Sequence, residues 1–217
     1  MSDDPETARQ IAELASDDRP LLVLDVDEVV LEFVQPFMRY LESIDLELGL
    51  ATFSLFQNVV RRSDRQKVEP SEVAEHLDTF FAVQAEWQTA AADAAETIAR
   101  LSRNAEIVML TAMPHRHRPV RRAHLDALGF PYPLLTTEMP KGPAILKLRG
   151  PDQRPVAFVD DIPKNLLSVR DFVADAHLVN LMSYGAMRAV MPPLPADIAV
   201  ADDWKTAAPS IEKALGI

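Results

Sequence analysis

Asp25 and Asp27, separated by one residue, follow the apolar run LLVL (21–24), and a third acid, Glu28, stands beside them. Acids crowded at the end of a buried run repel one another, so they need either solvent or a positive partner. A second acidic pair, Asp160 and Asp161, follows VAFV (156–159), and Thr111 closes IVML (107–110). A hard divalent cation would resolve the repulsion. Mg2+ prefers oxygen ligands, keeps several waters, and is typically held by one or two carboxylates plus substrate phosphate. The acidic run ends therefore predict a magnesium site. Each piece alone has an ordinary reading, because an aspartate or threonine after a strand often caps a helix or stabilises a turn. The order DxD, Thr, lysine, DD is far more specific.

Positioning these groups requires strands whose ends meet. LLVL, IVML, VAFV and HLVNL (177–181) are continuous rather than alternating, as expected for parallel strands covered on both faces. Helical patterns lie between them at 91–103, 117–130 (ending at Gly129), 142–150 and 165–176. Strands alternating with helices indicate an α/β domain with a mainly parallel sheet. Side chains at the C-terminal ends of such strands converge on one crevice. From about Leu31 to Gln88 no strand is predicted. Phe37, Leu41, Ile44 and Leu48 repeat on one helical face, and a second helix carries Val73, Leu77 and Phe80 with Ser71 as its N-cap. The expected organisation is an α/β core domain over 1–32 and 89–217, with a helical insertion at 33–88.

These motifs resemble those of the haloacid dehalogenase-like superfamily, phosphatase type. VLDVDEVV is similar to its first motif, IVMLTAMP to its second, and MPKGPAILKL offers the lysine of the third. VAFVDDIPKN is similar to the acidic fourth. The resemblance covers about 20–32 and 90–170. It implies a three-layer, Rossmann-like fold with a small helical cap after the first strand, and a magnesium-dependent phosphohydrolase. By resemblance, Asp25 is the nucleophile that forms an aspartyl-phosphate, and Asp27 is the acid and then the base. Asp25, the backbone carbonyl of Asp27 and Asp160 would hold the metal. Asp161 would bind it directly or through water, or orient Lys141. Thr111 and the Ala112 N–H would bind a phosphoryl oxygen, and Lys141 would offset charge at the reacting centre. Asp27 favours phosphoryl transfer over dehalogenation, since the family's dehalogenases lack this second acid. Glu28 departs from the pattern, which commonly has glycine there. Its side chain is expected to face solvent or the hinge of the insertion.

Other residues invite competing readings. Lys141, in a loop before a helix, is favoured over Lys147 and Lys164 as the reacting-centre lysine. Arg116, Arg118, Arg121 and Arg122 read as a solvated helix start and face, with contact to an anionic substrate group as the sharper alternative. His115 and His117, at i and i+2, do not share a helix face and read as surface residues. Among Phe53, Phe56, Phe80, Phe81 and Trp87, most are expected in the core and some along a substrate pocket.

Composition narrows the function classes. The 217 residues suffice for one large domain or a domain with an insertion. With 22 basic against 33 acidic residues and a net charge of −11, no basic face is expected for a nucleic-acid duplex. Cysteine is absent, which excludes disulfides and thiolate metal sites. No apolar run approaches the roughly 20 residues of a membrane span. The acidic start lacks the features of a secretory signal, so a cytoplasmic protein is expected, with no membrane partner. The substrate expected is a small phosphorylated metabolite. A non-catalytic binding protein of the same fold is the rival from a different class. A phosphotransferase or mutase is less favoured, as is a receiver-like phospho-acceptor, in which the acidic pair would open the chain. Oligomeric state is not legible.

Overall fold

The four apolar residues Leu21–Leu24 form a fully buried strand, β1, with Leu22 and Leu24 in one apolar layer and Leu21 and Val23 in the other. This computed structural model describes residues 4–217; the first three residues of the acidic N-terminal stretch lie outside it. Helix α1 (Pro5–Ala12) precedes β1, capped by the Asp4 side chain. After β1 come α2 (Val34–Ser43), β2 (Leu46–Leu48), β3 (Val59–Arg61) and α3 (Pro70–Ala82). The chain continues through α4 (Ala94–Leu101), β4 (Glu106–Thr111), α5 (Arg118–Ala127), β5 (Leu134–Thr136) and α6 (Lys141–Arg149). It ends with β6 (Val156–Asp160), α7 (Pro163–Phe172), β7 (His177–Leu181), α8 (Gly185–Arg188), β8 (Ala199–Ala201) and α9 (Trp204–Leu215).

Six strands form one sheet in the order β5-β4-β1-β6-β7-β8, and every neighbouring pair is parallel. The chain moves outward from β1 first to one side and then to the other. That reversal makes the C-terminal ends of β1, β4 and β6 a ligand crevice in open α/β sheets. One apolar layer brings Ile98, Leu125 and Ile211 of α4, α5 and α9 against the sheet; the other brings Ile145 and Val169 of α6 and α7. The fold is the expected three-layer, Rossmann-like α/β arrangement. Among the described residues no helix is long and apolar enough to cross a membrane.

The 33–88 segment differs from its all-helical expectation. β2 and β3 pair antiparallel within it, with Leu46 opposite Arg61. Helix α2 therefore stops at Ser43. Ile44 is exposed, and Leu48 is buried from a strand instead of a helix. Ser71 is not the cap of α3: the helix starts at Pro70, whose fixed φ suits a first turn, and Glu69 takes the N-cap position without a side-chain bond. Phe33, Phe37, Phe80 and Phe81 build a third apolar cluster, which rests on Met113, Met182 and Met187 of the α/β body. The two connections run side by side, tied by Glu32 N–H to Thr89 O and Ala91 N–H to Val30 O, each at 2.9 Å.

Candidate active site

Asp25 is the first residue past β1, and its N–H continues the pairing with β6 by donating to Val159 O. Asp160 is the last residue of β6, which puts the two carboxylates side by side. Lys141 lies between them, with Nζ 2.9 Å from Asp25 Oδ2 and 2.7 Å from Asp160 Oδ2. It is fully buried at the first position of α6, not in the loop expected before that helix. Gly142 explains how the helix start comes so close. A Cβ there would lie 2.3 Å from Ser168 O of α7, so only glycine allows the approach that carries Lys141 inward.

Asp25, Asp160 and Asp161 each offer an oxygen within 4.8 Å of the other two, and all three are buried. Asp160 Oδ1 also accepts from Ile162 N–H (2.8 Å) and Asn165 Nδ2 (3.1 Å). Asn180 Nδ2 donates to the carbonyls of Asp160 and Asp161, fixing the turn that presents both acids. Burial pushes the Asp25 carboxyl up to about 8, against the pull of Lys141 and with the push of Asp160 and Asp27. Burial also raises Asp161 well above the carboxylate range, with Asp160 and Asp25 adding repulsion. Burial disfavours the charge on Lys141, yet Asp160 and Asp25 hold its pKa above the ordinary lysine value. One lysine thus faces three buried acids. The all-oxygen, negatively charged donor set fits a hard divalent cation such as Mg2+. Lys141 contacts Asp25 and Asp160; it is not held by Asp161.

Asp27 turns to a different set of partners. Gln88 Nε2 donates to its Oδ1 at 2.9 Å, and Arg121 Nη1 lies 3.0 Å from the same oxygen. Arg121 is fully buried, which overturns the expectation of a solvated cationic face, and its partner is Asp27 rather than a substrate anion. On α5 it shares the inner face with His124 and Leu125, three and four residues on. An arginine within such a stripe requires a buried acid, and that spacing is the signal a reading of the charge run passed over. Arg116 pairs with Asp78, Arg118 donates to Leu134 O, and Arg122 donates to Phe130 O and Tyr132 O. The histidines are not free surface groups: His117 is buried against Asp78, and half-buried His115 bonds Thr136 and Asp4.

Glu28 is buried and lies at φ 63°, the left-handed region that glycine enters without strain. Its carboxylate accepts from the N–H groups of Phe33 (3.2 Å) and Val34 (3.0 Å) and from Ser183 Oγ (3.0 Å). The side chain faces the hinge, not solvent, and binds the free N–H groups at the start of α2. Above the acids lies a cavity of about 570 Å³. Asp25, Asp27, Thr111, Ala112 and Asp161 line its polar end. Phe53, Leu55, Phe56 and Phe81 from the 33–88 segment, with Met182 and Met187, are among the residues that line the rest. Phe80 is core, and Trp87 packs edge-on against Tyr40. Lys164, on α7, lines the cavity, while Lys147 is on α6 and does not line it.

No model of a known protein family matches the sequence, and neither does any curated protein sequence. Solved structures do match. YfnB from Bacillus subtilis, a provisional HAD-hydrolase bound to magnesium, superposes with a TM-score of 0.61 at 11% identity, over 93% of this chain and 100% of its own. A conserved haloacid dehalogenase-like protein of unknown function from Agrobacterium tumefaciens gives 0.59 at 12% identity, over 92% and 100%. The D,D-heptose 1,7-bisphosphate phosphatase of B. bronchiseptica, complexed with magnesium and phosphate, gives 0.52 at 13% identity, over 89% and 98%. The fold of this chain is that of the haloacid dehalogenase-like hydrolases.

Proposed function

We propose that the protein is a magnesium-dependent phosphatase of the haloacid dehalogenase-like type, cleaving a small phosphoric monoester through an aspartyl-phosphate. One observation carries this reading: Lys141 joins Asp25 and Asp160 inside a three-carboxylate cluster that opens into a cavity. Asp25, Asp160 and Asp161, with the Asp27 carbonyl, would hold Mg2+, which when bound neutralises phosphate charge. Asp25 Oδ attacks phosphorus, and the bond from phosphorus to the ester oxygen breaks. Asp27 gives that oxygen its proton, then accepts one from the water that attacks the phosphoryl-Asp25. Lys141 keeps Asp25 oriented and offsets charge on the transferring group. Thr111 Oγ1 and the Ala112 N–H, both along the cavity, bind a phosphoryl oxygen.

The 33–88 segment acts as a cap that excludes water and shapes the leaving-group end. Its contribution to the cavity is mainly aromatic and aliphatic, which favours an apolar or aromatic group on the ester over a polyanionic one. A panel of phosphomonoesters with Mg2+ or with chelator, on wild type and Asp25→Asn, tests the assignment. Phosphate release that needs Mg2+ and is lost by at least about 10³-fold in the variant is expected, on the scale of losing an activated nucleophile. No release from any ester, or equal release by the variant, contradicts it and favours a binding protein.

A further inference from the structure

We infer that Arg121, with Gln88, is the positioning device for Asp27 in the leaving-group step; this rests on the phosphatase reading above. Arg121 is fully buried, yet its Nε and Nη1 have no aligned hydrogen-bond acceptor. Nη1 instead faces Asp27 Oδ1 at 3.0 Å as a charge contact, and Nη2 reaches Gln88 Oε1 at 3.4 Å. The guanidinium also lies over the Phe81 ring, 5.6 Å from its centroid, beside the cavity wall. A buried arginine is costly, and its net cost falls only if its charge is matched. Asp27 is the acid that matches it.

Gln88 gives the arrangement its second anchor. Its Nε2 donates to Asp27 Oδ1 and to Glu32 O, while its backbone carbonyl meets His124 Nε2 at 3.1 Å. Gln88 and Arg121 of helix α5 therefore converge on one carboxylate oxygen, and Gln88 ties that oxygen's surroundings to the other connection through Glu32 O. Oδ1 is occupied by Gln88 and Arg121, which leaves Oδ2 to carry the proton toward the ester oxygen. Asp27 cannot rotate without losing both partners. Arg121 touches no reacting atom in this scheme; it acts through Asp27.

The role separates from general structural support by its dependence on the leaving group. p-Nitrophenyl phosphate expels a stable anion and needs little proton assistance, whereas benzyl phosphate, with a similar apolar body, needs a proton as the bond breaks. The quantity to measure is kcat/KM, which covers the step that expels the alcohol, for wild type, Arg121→Met, Arg121→Lys and Gln88→Leu. Arg121→Met should lower kcat/KM for benzyl phosphate by about 10- to 100-fold, part of the roughly 10²–10⁴ supplied by a positioned general acid. The loss on p-nitrophenyl phosphate should stay below about 3-fold, with Arg121→Lys recovering part of the difference. Gln88→Leu keeps the arginine and should shift the ratio of the two esters in the same direction, so the test survives if Arg121→Met does not fold. Equal losses on both esters, or none in either variant, would overturn the positioning role while leaving the phosphatase reading intact. No Mg2+-dependent phosphate release by wild type from either ester or from any ester of the panel above overturns both.

Discussion

Glu28 shows how a single residue can depart from a motif and still serve it. At φ 63° a side chain other than glycine costs about 1–2 kcal/mol. Three hydrogen bonds, to Phe33 N–H, Val34 N–H and Ser183 Oγ, offset that cost. Glu28→Ala keeps the strain and loses the bonds, so it should destabilise by about 1–3 kcal/mol in urea unfolding. Glu28→Gly loses the same bonds but removes the strain, and should be the milder change by about 1 kcal/mol. A glycine variant less stable than the alanine variant would contradict this. The acids of the site were legible through their order, DxD, Thr, Lys and DD at the ends of successive apolar runs, since each alone also reads as a cap or turn residue. Arg121 was not, because a run of four arginines reads as surface until the helical face of each is separated. Gln88 carried no signal at all, since its partners lie 61 and 33 residues away in sequence.

At the scale of elements, the site depends on how α6 meets α7. Gly142 N–H donates to Ser168 Oγ at 3.1 Å, and the missing Cβ is what permits that contact. Gly142→Ala places a carbon 2.3 Å from Ser168 O, so the helix start must move and Lys141 with it. The expected result is a loss of about 1–3 kcal/mol in stability by overpacking, with a fall in kcat larger than the stability loss explains at 25 °C. Unchanged kcat would show that Lys141 tolerates the displacement. The long strands were legible as continuous apolar runs, because burial on both faces leaves no room for polar alternation. β2, β3, β5 and β8 have three residues each, too short for any period to show, and tertiary pairing alone defines them.

Across the whole molecule, three apolar clusters among the described residues meet around a set of crowded acids. Two clusters sandwich the sheet, and the third seats the 33–88 segment over the crevice. The helical spacing of 33–88 marked a break in the strand–helix alternation after β1, but not its hairpin, because local periodicity is blind to pairing partners. If the crowded carboxylates hold the proposed Mg2+, the stability of the fold should respond to it. Mg2+ at about 100 times its Kd should stabilise the native state by about 2.7 kcal/mol, read as a rise in Tm over Na+ at equal ionic strength. Asp160→Asn should abolish the rise. An equal Mg2+ response in that variant would place the ion elsewhere.

In the proposed phosphatase reaction Asp25 takes the phosphoryl group. Acid quenching during turnover of a hydrolysed ester, followed by peptide mass spectrometry, tests it most directly. One added phosphoryl group on Asp25, formed only with Mg2+, is expected, with loss of both the adduct and turnover in Asp25→Asn. A phosphoryl group on another residue, or wild-type turnover by Asp25→Asn, would contradict it.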